Sequence, residues 1–418
     1  MTSAAATRLP RRVLVTGMFD MANYGDLLFP LVARHHLSAH GIEIVPVAPS
    51  APDPGIGDAI PPLGLDSLLD EAVAADGFLI GGGYIVHGHP LSFIEDYSAG
   101  DAADWAGAGL WLGASVAAAL RDVPLAWNAP GVPHPIGRRL AAVVAQALRS
   151  ADYVSVRDRG SAELLAAPAD VPVHIVPDPI AGLPALWPRE GLAEAFRTLV
   201  ARKGADPSAR FLAVHLRRRS VAGVPLADIA AAIDGFAARH RLTPLVVAVG
   251  RSHDDPTLAR LLAPLMRSPH ILLDDPLGLR EITAALAWSN LYVGASLHGY
   301  VVSAAYGVPG VLVARPAYRK FGGFLEHAGR PQDLARDWVQ AFALAGGRLR
   351  DGRNDGLPPG VAADLNTHWN RVAAALLDGE RRRAERRVFA RAAMCHAADP
   401  INAADIVRGF LARGDDQR

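Results

Sequence analysis

The stretch LYVGASLHGYVVSAAYGVPGVLVA, residues 291–314, alternates between two kinds of local structure. An apolar run leads into a turn with Ser296 and His298, a run of small and apolar residues follows, and a second apolar run begins after Gly307 and Pro309. Two short Val-rich runs around a helical segment are typical of a strand, a helix and a parallel strand. The stretch therefore predicts one βαβ unit with a polar histidine at its strand-to-helix junction.

The same alternation continues along the chain and predicts the fold. The strand candidates are RVLVTGMF, IEIVPVA, GFLIGGG, PLAWNAPG, YVSVRD and VHIVPDP, followed by FLAVHLR, PLVVAVG, HILLDD, LYVGASLHG and GVLVA. Segments with apolar residues three and four positions apart lie between them and predict covering helices. We expect an α/β protein of two Rossmann-like, doubly wound lobes. Pro and Gly break the periodicity near residue 183, so the lobes are predicted at 1–183 and 184–418, with C-terminal helices in the second.

Composition excludes several classes of partner. Forty-two basic residues balance forty-two acidic ones among 418 residues, so no net charge attracts nucleic acid. No apolar window approaches the roughly 18 residues of a membrane span. The single cysteine, Cys395, excludes an internal disulfide and fits a reducing cytoplasm. The basic run GERRRAERRVFARAA has few interleaved aromatics, so we predict a solvated helix face there.

Polar and glycine-rich turns follow several predicted strands, where open parallel sheets bind ligands. The turn GMFDMANYGD places Asn23, Gly25 and Asp26 at a helix start, although Asn23 or Asp26 could equally be only a helix cap. Gly82 and Gly83 follow another strand, and their turn does not match the Gly-x-Gly-x-x-Gly fingerprint of dinucleotide sites. We therefore predict a close backbone approach there, but no dinucleotide cofactor.

Two histidines, His87 and His89, lie beyond the glycines. A metal pair is conceivable, but no matching carboxylate cluster accompanies them, so we predict no metal site.

Cations and one histidine collect at the remaining strand ends. Arg157 precedes a helix capped by Ser161, Arg217 ends a strand of the second lobe, and Lys320 follows the strand GVLVA. Helix N-termini and arginines suit phosphate or carboxylate groups. Arg157 could instead belong to a surface network with Asp158. Taken together, these residues predict a site for a small, highly charged anion.

In their order and spacing these motifs resemble the polysaccharide pyruvyl transferase family, whose members move the enolpyruvyl carbon of phosphoenolpyruvate onto two sugar hydroxyls as a pyruvate ketal. The resemblance covers nearly the whole chain. In chain order the matching motifs are Asn23-Tyr24-Gly25-Asp26, Gly81–Gly83, Ser155-Val156-Arg157-Asp158 with Ser161 and Leu164, Asp178-Pro179, Arg217, and Leu297-His298-Gly299 with Gly307, Pro309 and Lys320.

The resemblance implies two lobes facing a cleft, similar to the glycosyltransferase B fold. It implies a transferase of cell-surface polysaccharide or glycoconjugate biosynthesis, cytoplasmic or at the inner face of the membrane. Phosphoenolpyruvate would be the co-substrate, with no other cofactor. The acceptor would be a nucleotide-linked, lipid-linked or polymeric saccharide.

Residue roles follow from the same resemblance. His298 is expected to protonate the donor, since histidine is the side chain that titrates near neutrality, and Asp26 to deprotonate the acceptor hydroxyls. His298 could instead be a buried histidine bonded to a backbone carbonyl. The expected donor-binding residues are Arg157, Arg217, Ser296, Leu297, Gly299 and Lys320. The expected acceptor-binding residues are Asn23, Gly25, Gly82, Gly83, Tyr97 and Trp105, the last two as stacking surfaces for a sugar.

One departure from the family pattern concerns the donor. Some members carry arginine two positions before the histidine, where this chain has Ser296. If that arginine binds phosphoenolpyruvate, Arg217 or Lys320 must replace it here. Two alternatives therefore accompany the main prediction. One is a nucleotide-sugar glycosyltransferase of the same two-lobed fold, and the other is a catalytically inactive binding relative.

Overall fold

The computed structural model describes residues 10–91, 97, 106–138, 140–251, 254–353 and 356–398. These residues form two parallel sheets with helices on both faces, which confirms the predicted fold class. The first sheet has the order β3-β2-β1-β4-β5 and the second the order β10-β9-β8-β11-β12-β13. The strands of the first are Arg11–Thr16 (β1), Ile42–Ala48 (β2), Leu63–Gly64 (β3), Gly77–Ile80 (β4) and Leu125–Trp127 (β5). The strands of the second are Phe211–His215 (β8), Thr243–Val247 (β9), Ile271–Leu273 (β10), Leu291–Gly294 (β11), Gly310–Val313 (β12) and Leu334–Ala335 (β13).

Two of the predicted strands do not join the first sheet as full members. Val154–Val156 (β6) and Val173–Ile175 (β7) form a separate parallel pair. An isolated bridge between Ala126 and Tyr153 connects this pair to β5. The six strands predicted in the first half of the chain are thus divided between the five-stranded sheet, which also contains the unpredicted β3, and the pair of β6 and β7.

Helices connect the strands, as the three- and four-residue spacing predicts. They are Tyr24–Ser38 (α1), Ala106–Ala108 (α2), Ala114–Leu120 (α3), Ala141–Ser150 (α4), Arg159–Leu165 (α5), Leu183–Leu186 (α6), Ala193–Arg202 (α7), Arg218–Val221 (α8), Leu226–His240 (α9), Asp255–Leu262 (α10), Leu279–Trp288 (α11), Leu297–Ala305 (α12), Arg319–His327 (α13), Trp338–Asp351 (α14), Pro359–Leu377 (α15) and Arg383–Ala398 (α16). No helix in the described ranges is long and apolar enough to cross a bilayer.

The helices between the two sheets share one apolar core. Leu28 of α1, Leu286 of α11 and Val301 of α12 belong to a single buried cluster that includes side chains of both lobes. Inside it, the hydroxyl groups of Tyr24 and Thr283 lie 2.8 Å apart and form a hydrogen bond. Burial of apolar surface is the main stabilising term in protein association, so this shared core fixes the two lobes against each other.

The last two helices return to the first lobe. α16 packs against α3 and α4, and α15 contacts β5. Phe389, which is 1% exposed, packs with Ala119 and Ala147. The sequence placed these helices with the second lobe at 184–418, but their contacts lie on the first. The predicted boundary near residue 183 itself stays a prediction.

The basic run on α16 is only partly a solvated face. Arg386 is fully buried, and its Nη1 lies 3.0 Å from Asp152 Oδ2, another buried group. Arg383 and Arg387 also bind a carboxylate of the first lobe, Asp122. The prediction of a solvated face was wrong for Arg386, because its charge is matched by a buried acid far away in sequence.

Candidate active site in the cleft between the lobes

A cavity of about 1340 Å³ opens between the carboxyl ends of the two sheets. Asp26 and Gly83 reach it from the turns after β1 and β4 of the first lobe. Arg217, His298 and Lys320 reach it from the turns after β8, β11 and β12 of the second. Because all strands in each sheet are parallel, these turns meet at one edge. The structure therefore brings the predicted polar groups of both lobes into one cleft.

The turn before α1 is held by the second lobe. The N–H of Tyr24 donates to the carbonyl of Val249 at 2.8 Å, and the N–H of Arg251 donates to the carbonyl of Ala22 at 2.9 Å. Between them, Asn23 pairs with Gly250 as an isolated antiparallel bridge. The backbone of the Asn-x-Gly-Asp motif is thus positioned by both lobes, not by its own helix alone.

His298 lies in the first turn of α12 and is 15% exposed. Ser296 caps this helix, since its Oγ accepts a hydrogen bond from the N–H of Gly299 at 3.2 Å. The ring of His298 packs edge-on to Phe29 at a centroid distance of 5.7 Å. A Cβ on Gly25 would lie 1.6 Å from His298 Nδ1. Gly25 therefore leaves the space into which the imidazole of the opposite lobe fits.

Asp178, which the sequence singled out only as part of an Asp-Pro pair, faces the other ring nitrogen. Its Oδ2 lies 3.5 Å from His298 Nε2, and neither atom has a hydrogen-bond partner within the described part of the chain. Oδ1 accepts the N–H of Ile180 at 3.1 Å. Burial acts to raise the pKa of Asp178, but His298 and the charge of Arg157 outweigh it and hold that pKa below its usual value. Asp178 therefore offers a carboxylate to the imidazole.

Arg157 is 5% exposed and lines the cleft. Its guanidinium stacks over the ring of Tyr84 at 4.1 Å and lies 3.6 and 3.8 Å from carboxylate oxygens of Asp158 and Asp178. The alternative of an exposed surface network with Asp158 does not fit this burial. Gly131 makes room for the side chain, since a Cβ there would lie 2.8 Å from Arg157 Nε.

Lys320 lies near the same Tyr84 ring as Arg157, and its Nζ is 5.2 Å from the ring centroid. Burial, and then the positive charges of Arg157 and Arg217, lower the pKa of Lys320 to about 7. A lysine of this kind gains or loses its charge near neutral pH. Bringing a dianion next to these three cations relieves their mutual repulsion, so this end of the cleft suits a phosphate or carboxylate ligand.

Asp26 is the carboxylate of the first lobe at the cleft. Asn23 Nδ2 donates a hydrogen bond of 2.6 Å to Asp26 Oδ2. Burial raises the pKa of Asp26, although the charges of His298, Lys320 and other nearby cations oppose this shift. A carboxyl group with a raised pKa is a better proton acceptor than an ordinary aspartate. The Asn23 amide therefore orients a group suited to proton transfer.

Three of the predicted ligand-binding residues have other positions, and a fourth lies outside the described residues. Gly82 is buried where a Cβ would lie 2.0 Å from Phe29, so its lack of a side chain serves packing against α1. Gly299 donates its N–H to the Ser296 cap. Tyr97 is 4% exposed and its hydroxyl donates to Asp20, which removes it as an exposed stacking surface. Trp105 lies outside the described residues. Gly83, Ser296 and Leu297 do line the cleft.

The histidines beyond the glycines lie at the first-lobe side of the cleft. The ring centroids of His87 and His89 are 6.0 Å apart, and those of His89 and His134 are 4.9 Å apart. Burial, and then the charges of the two neighbours, lower the pKa of His87 to about 4. No group of three or more metal-ligating side chains among the described residues is arranged to hold an ion.

Facing Rossmann-like lobes with a ligand cleft between them place the protein in the class of glycosyltransferase B-like folds. UDP-GlcNAc 2-epimerase from Neisseria meningitidis bound to UDP-GlcNAc is similar, with 11% identity over 88% of this chain and 99% of that chain and a TM-score of 0.55. The enzyme from Methanocaldococcus jannaschii in complex with UDP-GlcNAc and UDP gives 10% identity, 88% and 99% coverage and a TM-score of 0.54. At this identity the likeness shows the fold alone.

The family is shown by the sequence itself. The polysaccharide pyruvyl transferase family model matches residues 23–316, and the chain belongs to this family of transferases. The match begins at Asn23 and extends past the His298 turn, so it includes Asp26, Arg217 and His298 of the cleft and ends before Lys320. No curated protein matches the chain.

Proposed function

We propose that the protein transfers the enolpyruvyl carbon of phosphoenolpyruvate to two hydroxyl groups of a saccharide, forming a pyruvate ketal and releasing phosphate. The observation that carries the proposal is the group of cations at one end of the cleft. The charges of Arg157, Arg217 and Lys320 all act to lower the pKa of Asp26. His298 lines the same cleft. Phosphoenolpyruvate has a phosphate and a carboxylate on one small molecule, which such a group can bind. Family membership supports the same donor and a polysaccharide product.

His298 and Asp26 divide the proton transfers in this proposal. The imidazolium of His298 donates a proton to the methylene carbon of the donor, which leaves positive charge on the adjacent carbon and its oxygen. The first sugar hydroxyl attacks that carbon as Asp26 takes its proton. The carbon–oxygen bond to phosphate breaks, and the second hydroxyl attacks the same carbon and gives its proton to the imidazole of His298, which is neutral after the first step. The products are inorganic phosphate and one ketal, which has a methyl group in place of the methylene of the donor.

The cations stabilise the leaving group. Negative charge accumulates on phosphate as its bond to carbon breaks, and fixed positive groups lower the energy of that state. Ser296, which stands where some relatives have arginine, lines the cleft and caps α12 by accepting the N–H of Gly299. We propose that Arg217 and Lys320 supply the charge that the missing arginine would have contributed.

The decisive experiment incubates the protein with phosphoenolpyruvate and a panel of saccharides and measures phosphate release, with a ketal methyl signal by NMR as the second readout. We expect phosphate and ketal in equal amounts, and loss of both in His298→Gln with unchanged folding. Release of UMP or UDP from nucleotide sugars would instead indicate a glycosyltransferase. Binding of neither donor would indicate an inactive relative. We place the reaction in the cytoplasm, as the sequence predicts.

A further inference from the structure

The outer part of the cleft holds a second set of cations that the proposed reaction does not use. Arg218 and Arg219 lie on α8, and Arg319 is the first residue of α13. All three are exposed and line the same cavity as the donor-binding residues. Arg218 is paired with Asp254. Arg219 and Arg319 form no ion pair with any carboxylate that the structure describes. We call these two residues the outer pair.

The outer pair begins next to the donor end of the cleft. Arg219 Nη1 lies 3.2 Å from the hydroxyl of Tyr318. The ring of the same tyrosine lies 5.4 Å from Lys320 Nζ. Tyr318 therefore contacts both Lys320 of the donor end and Arg219 of the outer pair. The positive surface thus extends from the donor end toward solvent, with Asp254 beside it and paired to Arg218.

Arg319 extends the outer pair to the opposite lobe. Its Nη2 donates to the carbonyl of Pro133 at 3.3 Å. The side chain passes Gly160, where a Cβ would lie 3.2 Å from Arg319 Cδ. His134 follows Pro133 and its ring meets that of His89. The outer pair thus faces the first-lobe wall, which is the side that carries Asp26 and would hold the acceptor.

The size of the cleft leaves room for more than the donor. Its volume of about 1340 Å³ exceeds the range of roughly 300–1,000 Å³ typical of sites for one small molecule. Arg157, Arg217 and Lys320 already match the phosphate and carboxylate of the donor. Any further anion in the cleft therefore belongs to the second substrate.

We propose that Arg219 and Arg319 form a second anion subsite, which binds a phosphate or diphosphate group carried by the saccharide acceptor. The inference rests on the proposed function and names the class of its acceptor. With the phosphate at the outer pair, the sugar extends inward so that its hydroxyl groups approach Asp26 and His298. Guanidinium groups bind phosphate oxygens with two parallel N–H groups, which orients the sugar as well as holding it.

The test measures binding of inorganic pyrophosphate by calorimetry to the full-length protein saturated with phosphoenolpyruvate. We expect pyrophosphate to bind alongside the donor, and the double variant Arg219→Gln, Arg319→Gln to bind it roughly tenfold more weakly while keeping its affinity for phosphoenolpyruvate. The control Arg149→Gln, Arg197→Gln removes two exposed arginines outside the cleft and should leave both affinities unchanged. Simple competition between pyrophosphate and phosphoenolpyruvate would overturn the inference, as would equal weakening in both double variants.

A second arm distinguishes the sources of the phosphate. A nucleoside diphosphate sugar, a short-chain alkyl diphosphate saccharide and a neutral methyl glycoside of the same sugar are compared as acceptors and as ligands. Stronger binding of either diphosphate than of the neutral glycoside, lost in the outer-pair variant, supports the subsite, and the better of the two identifies the carrier. Equal use of the neutral glycoside refutes it. If phosphoenolpyruvate does not bind but pyrophosphate does, the proposed function fails while the anion site remains.

Discussion

Lys320 is a cation whose charge depends on pH near neutrality. Its pKa is lowered to about 7 by burial and by the charges of Arg157 and Arg217. The charged form predominates below pH 7 and is lost as the pH rises through that value. A bound anion favours the charged form, so donor binding and protonation of this lysine are coupled.

The coupling predicts a specific pH dependence of donor affinity. Between pH 6 and 8 the affinity of the wild type for phosphoenolpyruvate should fall relative to that of Lys320→Arg, by roughly tenfold. The reason is that arginine stays charged throughout this range. Calorimetric titrations at pH 6, 7 and 8 measure the difference, and titration of the ligand itself cancels because both proteins bind the same molecule. Parallel pH dependences would contradict the role given to Lys320.

In the proposed reaction Asp178 acts through His298, as a positioning residue. Asp178→Asn keeps an oxygen that can accept the N–H of Ile180 but removes the negative charge 3.5 Å from His298 Nε2. We expect kcat to fall roughly tenfold or more with little change in KM, because the protonated imidazole loses its partner. A purely structural role would lower Tm and would not separate kcat from KM in this way.

At the scale of single elements, α1 and α12 come into contact where Gly25 faces His298. In Gly25→Ala the new Cβ would lie 1.6 Å from His298 Nδ1, so the ring or the helix must move. We expect loss of phosphate release even though alanine favours helices over glycine by about 1 kcal/mol. The matched control is Gly235→Ala in α9, where no atom lies within 4 Å of the added Cβ. That variant should be slightly more stable and fully active, and a similar outcome for Gly25→Ala would show that the contact is dispensable.

The elements differ in how well the sequence predicts them. β1, β2 and the βαβ unit of β11, α12 and β12 lie where apolar runs and helical spacing place them. β3 and β13 escape prediction because each has two residues, too few for an alternating pattern. In the site, strand-end turns indicate Asp26, Arg217 and His298. The contact of Asp178 with His298 cannot be foreseen, since no local pattern relates two residues on separate lobes.

At the scale of the whole molecule, the buried pair of Arg386 and Asp152 attaches α16 to the first lobe. Arg386→Met leaves Asp152 buried without its cation, which should cost about 3–5 kcal/mol in the free energy of unfolding. Chemical denaturation at pH 7 measures this loss.

The pH dependence of that variant supplies its control. Burial already raises the pKa of Asp152, and losing the arginine raises it further. The variant should therefore recover part of its stability as the pH falls and the carboxyl becomes neutral. Asp152→Asn combined with Arg386→Met should recover stability at pH 7 also. Equal destabilisation in the single and double variants would show that packing of the arginine, and not its charge, holds the helix.

Sequence reasoning places α15 and α16 in the second lobe because they follow it in the chain. The pattern of charges on α16 is typical of a helix face exposed to solvent. The ion pairs of α16 with Asp122 and Asp152 show that part of this face is covered by the first lobe. The overall class of fold is therefore predictable from local patterns, whereas the return of the chain to its first lobe depends on contacts between distant residues.

The packing of α16 against the first lobe also affects the order in which parts of the protein can fold during synthesis. Ala147 can pack against Phe389 only after Phe389 has been synthesised. A ribosome that adds about 5–20 residues per second needs on the order of ten to fifty seconds to make the segment between these two residues. During that interval the nascent first lobe presents an uncovered apolar face while the second lobe emerges. α16 is synthesised after the second lobe, so the packing of the first lobe is completed only after the second lobe has been made.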